Sequence, residues 1–157
     1  MRYSLIVLVV TFGLRNPTSP QSVLAATEQT AAIEFVQKAA PRALDYVQGN
    51  RESLIAEEDF TPDGWREFMK WLAGFLDDKG APTGSSLFTA TGAPVVKSIG
   101  NEAIRLAIPG TLKQQSKNAY GGLSTTTYRV TVDVEVSGNP LKIRHLETRT
   151  CGAKPCE

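Results

Sequence analysis

The strictest pattern in this 157-residue chain is an alternation of apolar and polar side chains near its C-terminus. In "TTYRVTVDVEV" every second residue from Tyr128 to Val136 is apolar, while Arg129, Asp133 and Glu135 lie between them. Successive side chains of a β-strand point to opposite faces, so this segment predicts a strand with one buried and one solvated face. "SGNP" then predicts a turn, and "LKIRHLETR" predicts the returning strand of an antiparallel hairpin.

The register of this hairpin can be predicted from its turn. If Gly138 and Asn139 form a two-residue loop, apolar residues face apolar residues and acids face bases. The predicted pairs are Val136–Leu141, Val134–Ile143, Glu135–Lys142, Asp133–Arg144, Val132–His145 and Val130–Glu147. This register places His145 and Glu147 on the apolar face and turns Leu146 outward, a discord that a bulge near Arg144 would remove.

A helical apolar stripe is the second strong signal, within "DFTPDGWREFMKWLAGFLDD" (Asp59–Asp78). Thr61 suits the N-cap and Pro62 the first helical position. The predicted core face consists of Trp65, Phe68, Met69, Leu72, Phe75 and Leu76. Trp71 falls at the edge of this stripe, as either a flank packed on the sheet, which we favour, or an exposed contact residue.

The segment before it, "TEQTAAIEFVQKAAPRALDYVQGN", predicts one kinked helix or two abutting helices, because Pro41 interrupts the pattern. Its core face would comprise Ile33, Val36, Ala40, Ala43, Leu44 and Val47, with the end at Gly49. After the second helix, "LFTAT", "APVVKSI" and "EAIRLAI" predict three short strands. "PGTLKQQSKNAYGG" (Pro109–Gly122) is polar and is predicted to be a loop.

The N-terminus predicts export. Arg2 precedes the apolar run "LIVLVVTFGL", and small residues around Ala25 follow, as in a secretory leader. The run is short for a membrane span, so we expect residues 1–25 to be a signal peptide, residues 26–157 to form one domain, and the location to be periplasmic or secreted. Cleavage leaves 15 basic and 16 acidic residues, a net charge of −1, which argues against nucleic acid or an anionic membrane as a partner.

Export changes the interpretation of the two cysteines, Cys151 and Cys156 in "CGAKPC". An exported pair is typically oxidised, so we predict a disulfide that closes a C-terminal loop. A metal site is not predicted, because His145 is the only histidine and Glu57–Glu58–Asp59 lacks the alternating ligands of a calcium loop.

Helices followed by antiparallel strands predict an α+β fold, with N-terminal helices packed on a curved antiparallel sheet. This layout resembles the cone of the nuclear transport factor 2-like superfamily. Within it, "FTPDGWREFMKWL" (Phe60–Leu72) is similar to a helix start in the DotI/IcmL family, which are inner-membrane components of type IVB secretion systems with a periplasmic domain. The resemblance implies a non-enzymatic accessory of an envelope or secretion assembly with a protein partner.

The alternative function is a small-ligand binder or enzyme that uses the interior of the cone. Its candidate pocket residues are Trp65, Tyr128, His145, Glu147 and Arg149, with His145 and Glu147 as a possible acid/base pair. No catalytic constellation and no cofactor motif stands out, so we expect no cofactor and favour the binding protein over the enzyme.

Overall fold

The computed structural model describes residues 20–100, 102–117 and 120–151, with side chains from Ala26 onward. Two α-helices precede five strands in these residues, which confirms the predicted fold class: α1 (Pro20–Leu44), α2 (Pro62–Leu72), β1 (Gly84–Ala90), β2 (Val95–Ile99), β3 (Ile104–Lys117), β4 (Leu123–Ser137) and β5 (Lys142–Thr150). Short 3-10 turns at Arg51–Leu54, Glu57–Asp59 and Ala73–Phe75 join the helices to each other and to the sheet.

The sheet is antiparallel, with the order β1-β3-β4-β5. β1 and β2 share one edge of β3, because β1 pairs with Gly110–Ser116 and β2 pairs with Ile104–Ala107. The three strands predicted from "LFTAT", "APVVKSI" and "EAIRLAI" are therefore confirmed as β1, β2 and the start of β3.

The predicted polar loop Pro109–Gly122 is wrong over most of its length. β3 continues to Lys117 and pairs with β4 from its first residue, Leu123. We call the paired ends of β3 and β4, residues 113–117 and 123–128, the distal ribbon. None of residues 113–117 is buried, so this part of β3 lacks the apolar alternation by which strands are recognised.

The core lies between the helices and the even-numbered residues of β3 and β4. α1 contributes Ala32, Val36, Ala39, Ala40, Ala43 and Leu44, and the sheet contributes Leu106, Ile108, Val130, Val132, Val134 and Val136. α1 is one helix with Pro41 inside it, and not two abutting helices; a kink at Pro41 stays a prediction. It ends at Leu44 and not at Gly49, so Val47 is exposed and the prediction that Val47 joins the core was wrong.

The end of α1 closes the free edge of β1. Tyr46 and Ser86 exchange backbone hydrogen bonds of 3.1 and 2.8 Å, and the amide of Phe88 donates to the carboxylate of Asp45 at 2.7 Å. Burial raises the pKa of Asp45, while the hydrogen bond from Phe88 opposes that shift. The outward amides of Ser86 and Phe88 and the carbonyl of Ser86 are thus satisfied within the chain.

α1 spans the predicted cleavage point before Ala26, and residues 1–19 of the predicted leader lie outside the described part of the chain. The signal peptide therefore stays a prediction. Among the described residues, no helix is both long and apolar enough to cross a membrane.

Candidate functional site

The observed register of the β4–β5 hairpin differs from the predicted one. Ser137 pairs with Lys142 and Val136 with Ile143, so the loop holds four residues, Gly138–Leu141. A two-residue loop would need Pro140 to donate a hydrogen bond at its closing pair, and proline has no N–H. The register shifts between Glu135 and Val136, which confirms the bulge anticipated near Arg144.

The bulge moves the predicted pocket residues to the other face of the sheet. His145 pairs with Glu135, Glu147 with Asp133, and Arg149 with Thr131, whereas Leu146 faces Val134 toward the helices. The prediction that His145 and Glu147 lie on the apolar inner face was therefore wrong. The discord that Leu146 created in the predicted register is resolved in the observed one.

His145, Glu147 and Arg149 line a groove of about 460 Å³ on the outer face. The Nε2 atom of His145 lies 3.8 Å from Glu147, and its Nδ1 atom lies 3.3 Å from Glu67 of α2. Each of these three side chains is at least half exposed, so water competes for the imidazole and the carboxylates. The arrangement is a set of solvated polar contacts among His145, Glu67 and Glu147 at the sheet edge.

The rest of the groove is a set of cross-strand ion pairs. Arg149 donates to Asp133, and this hydrogen bond raises the pKa of the guanidinium. Arg105 donates to Glu135 at 2.7 Å. Opposite charges on neighbouring strands stabilise a sheet modestly, so these contacts have a sufficient structural reason.

The other two pocket residues lie elsewhere. Tyr128 is on the inner face of β4, opposite Leu112, and is 36% exposed. Trp65 is half-buried in α2, with its ring 5.4 Å from Phe60 and 5.7 Å from Phe68. The structure thus brings together three of the five predicted residues and separates them from Trp65 and Tyr128.

The start of α2 fits closely against β5. Thr61 caps the helix by accepting a hydrogen bond from the amide of Gly64 at 3.1 Å, as predicted. The amide of Thr61 donates to the carbonyl of Ile143 in β5 at 2.9 Å, and Phe60 forms a parallel bridge to the same residue. One turn of α2 is therefore hydrogen-bonded to the edge strand of the sheet.

Gly64 is the residue that permits this contact. A Cβ atom at position 64 would lie 2.6 Å from the carbonyl oxygen of Ile143 and 2.7 Å from that of Arg144. Both are backbone atoms, so no side chain can rotate away to make room. Sequence reasoning assigned Gly64 no role, although a glycine in the first turn of a strongly amphipathic helix is a signal of close backbone approach.

The predicted core face of α2 is confirmed, although only two of its six side chains are buried. Phe68 and Leu72 are buried, while Trp65, Met69, Phe75 and Leu76 are partly buried against the core. Trp71 is 38% exposed, and its ring lies 5.6 Å from Phe68 and 5.5 Å from Phe75. It is thus a flank that packs on its own helix and keeps an exposed side.

A second cavity of about 370 Å³ lies at the opposite end of the sheet from the distal ribbon. Its apolar lining includes Ala31 of α1, Ile104 of β3 and Leu141 of the β4–β5 loop. Glu28 and Glu102 are the acidic residues of the lining. The lining comes from one helix and two turns that are far apart in sequence, so no local pattern could have indicated it.

The acidic turn Glu57–Asp59 binds a cation of the chain itself. Arg42 at the end of α1 lies 2.5 Å from Glu58 and 3.5 Å from Asp59. The hydrogen bond between Arg42 and Glu58 lowers the pKa of the Glu58 carboxyl. Among the described residues, no three His, Cys, Asp or Glu side chains lie close enough together to hold a metal ion.

The C-terminal cysteine pair is described only in part. The amide of Cys151 donates to the carbonyl of Arg129 at 2.8 Å, which extends the β4–β5 ladder by one residue. Cys156 lies outside the described residues. The Cys151–Cys156 disulfide stays a prediction.

Comparison with known proteins gives likeness in structure only. No protein-family model and no curated protein matches the chain in sequence. The periplasmic domain of DotI has 19% identity to the chain and a TM-score of 0.58, over 78% of this chain and 95% of that domain. An IcmL-like type IV secretion system protein from Legionella pneumophila (13% identity, TM-score 0.53, 82% and 96% covered) and a periplasmic fragment of TraM (13% identity, TM-score 0.53, 78% and 98% covered) are similar too.

These likenesses span nearly the whole of the three solved structures, so they are likenesses of the overall fold. They confirm the resemblance to the DotI/IcmL proteins at the level of the fold. At such low identity they say nothing further about what the chain binds.

Proposed function

We propose that this protein is an exported, non-enzymatic component of a cell-envelope assembly, such as a secretion system, and that it works by binding other proteins. The observation that supports this most is the fold shared with the periplasmic domain of DotI over 78% of the chain. The start of α2, which carries the sequence resemblance, has a structural role through Thr61 and Gly64. The residues that carry the resemblance therefore support the fold, which fits a scaffold protein that binds partners through its surface.

The alternative of a ligand-binding cone receives less support. It needs His145 and Glu147 inside the cone, and both lie on the outer face, where they are at least half exposed. The proposed protein-binding role needs no such group.

Export and partner binding can be tested together in the native host. We would place a photo-crosslinking amino acid singly at Leu87, Val95 and Ile55, which are exposed apolar positions on different parts of the surface. The proposal predicts a product that begins at Ala26 and forms discrete adducts with envelope proteins at some positions and not at others. The matched control lacks residues 1–25 and stays in the cytoplasm, where the same adducts must be absent.

Two outcomes contradict the proposal. One is a full-length product that retains Met1 and stays in the membrane fraction, which would contradict cleavage and export of a free domain. The other is a periplasmic product that forms no adduct at any position.

A further inference from the structure

Among the described residues, one long edge of the sheet has no neighbouring strand, and it lies on the distal ribbon. β5 pairs with β4 only over Val130–Ser137, and the amide of Cys151 adds a last hydrogen bond at Arg129. On the same side, Leu123–Tyr128 has no neighbouring strand among the described residues. We call the outward side of Leu123–Tyr128 the open edge.

The backbone of the open edge presents a regular row of hydrogen-bonding groups. Because the Arg129 carbonyl points toward Cys151, the alternation of an antiparallel strand directs Leu123, Thr125 and Thr127 the same way. Ser124, Thr126 and Tyr128 point instead toward β3, with which they pair. An incoming strand would therefore meet an N–H and a carbonyl at every second residue.

The other edges of the sheet are covered, charged or short. The outer edge of β2 has no neighbouring strand among the described residues, but β2 is only five residues long and carries Lys97. Asp45 and Tyr46 cover β1, and Thr61 covers β5 at Ile143. The rest of β5 carries charged side chains such as Glu147 and Arg149, which discourage edge pairing. No described residue covers the open edge, and between Leu123 and Tyr128 it carries no charged residue and no proline. It contains three consecutive β-branched threonines.

The charge around the open edge indicates what kind of strand fits it. Residues 79–132 carry six basic side chains and a single carboxylate, Glu102, whereas residues 26–78 carry eleven carboxylates and five basic side chains. Lys113, Lys117 and Arg129 share the outer face of the distal ribbon with Thr125 and Thr127, by the alternation of side chains. An acidic segment would gain from these charges, and a basic one would be repelled.

We propose that the open edge of β4 receives an extended acidic segment of a partner protein, which adds to the sheet as a further strand. Backbone pairing with Leu123, Thr125 and Thr127 supplies the affinity, and Arg129, Lys113 and Lys117 select for acidic side chains on the outer face. This proposal rests on the proposed function, because it names the surface and the chemistry of the partner that the function requires.

Because recognition is assigned to the backbone and to charge, a designed peptide is a sufficient probe. We would titrate the ¹⁵N-labelled protein with a short synthetic peptide that has glutamate at alternate positions and valine or threonine between them. The expected result is a set of amide shift changes concentrated on Leu123–Arg129, together with slower exchange of the Leu123, Thr125 and Thr127 amides. The same peptide with lysine in place of glutamate should bind at least about tenfold more weakly.

Two kinds of variant test the geometry. Thr125→Pro removes an outward N–H and leaves the pairing with β3 intact, so it should weaken binding of the glutamate peptide at least about tenfold without unfolding the chain. Lys113→Glu should weaken binding several-fold through charge alone. Lys97→Glu makes the same charge change on β2, away from the open edge, and should alter binding less than about twofold.

Several results would overturn the inference. Shift changes centred away from the distal ribbon and Arg129, equal binding of the lysine peptide, or unchanged binding by Thr125→Pro would each remove the open edge as the site. Concentration-dependent dimerisation of the wild type that Thr125→Pro abolishes would assign the edge to a second copy of this chain and not to an acidic partner. An envelope partner that stays crosslinked to Thr125→Pro would refute the open edge and leave the proposed function standing.

Discussion

The two ends of β4 differ in what holds them. From Val130 to Val136 the inner face is buried under the helices and both backbone edges are paired, by β3 and by β5. From Leu123 to Tyr128 both faces are exposed and only β3 is paired. The C-terminal half of β4 is thus a core element, and its N-terminal half is an exposed ribbon. The start of α2 binds β5, which pairs with the C-terminal half of β4.

The largest expected effect is at the contact that fastens α2 to β5. Gly64→Ala puts a Cβ atom against two backbone carbonyl oxygens, so the helix must move off Ile143. We expect a loss of at least about 3 kcal/mol in the free energy of unfolding, measured by denaturant melts. Gly74→Ala is the matched control, because nothing lies within 4 Å of its added Cβ atom, and it should change stability by about 0.5 kcal/mol or less.

The tryptophans test how much of the α2 stripe supports the buried half. Trp65→Ala should cost about 2–3 kcal/mol, less than a fully buried ring would, because Trp65 is only half-buried against Phe60 and Phe68. Trp71→Ala should cost about 1 kcal/mol, since its ring keeps an exposed side. If thermal melts gave the reverse order, the helix would be rotated relative to the core.

A pair of substitutions on one face of β4 tests the comparison within the strand. Val132→Ala removes a fully buried side chain and should cost about 2 kcal/mol. Thr126→Ala, on the same face of the same strand in the distal ribbon, should cost about 0.5 kcal/mol or less. Equal losses in urea unfolding would mean that the distal ribbon is part of the cooperative core.

The same contrast explains what the sequence could predict. Val130, Val132, Val134 and Val136 face the core, so their alternation revealed the strand, its faces and the α+β fold class. The distal ribbon has two solvated faces, and without a buried face Gln114, Thr125 and their neighbours show no pattern that separates a strand from a loop. Burial, and not pairing, produces the signal.

The prediction of a pocket around His145 and Glu147 was wrong for a related reason. The one-residue bulge at Arg144 decides which face His145 and Glu147 occupy, because the side-chain period of a strand is two residues. The misjudged turn at Pro140 shifts the pairing by two residues and leaves the faces unchanged. Sequence could place these residues on β5 but not on a face. Gly64 went unnoticed because its role depends on Ile143, which is 79 positions further along the chain.

The helix cap should have a smaller effect than the contacts it supports. Thr61→Ala removes the hydroxyl that accepts from Gly64 and should cost about 1 kcal/mol in a denaturant melt. Thr61→Ser keeps the acceptor and should cost less than half as much. A loss in the alanine variant as large as in Gly64→Ala would show that the cap, and not the close approach, fastens α2.

The smallest expected effect concerns pH. The Asp77 carboxylate accepts hydrogen bonds from the amides of Ala81 and Lys79 at 2.8 and 2.9 Å, which lower its pKa. A lowered pKa in the folded state gives stability that is present above the unfolded pKa of about 3.9 and is lost as the pH falls through the folded value. The denaturant midpoint of the wild type should therefore fall slightly more between about pH 5 and pH 3 than that of Asp77→Asn. Identical pH profiles of the two proteins would contradict this.

Amide hydrogen exchange along β4 tests the central comparison most directly. From Val130 to Val136 we expect strong protection at every residue, because even-numbered amides pair with β3 and odd-numbered ones with β5. From Leu123 to Tyr128 we expect an alternation: Ser124, Thr126 and Tyr128 protected to an intermediate degree, and the Leu123, Thr125 and Thr127 amides exchanging fast. Uniform protection across both halves would show that the edge is covered. No protection from Leu123 to Tyr128 would show that this segment is a loop and not a strand. Either result would contradict a strand that is core at one end and an open edge at the other.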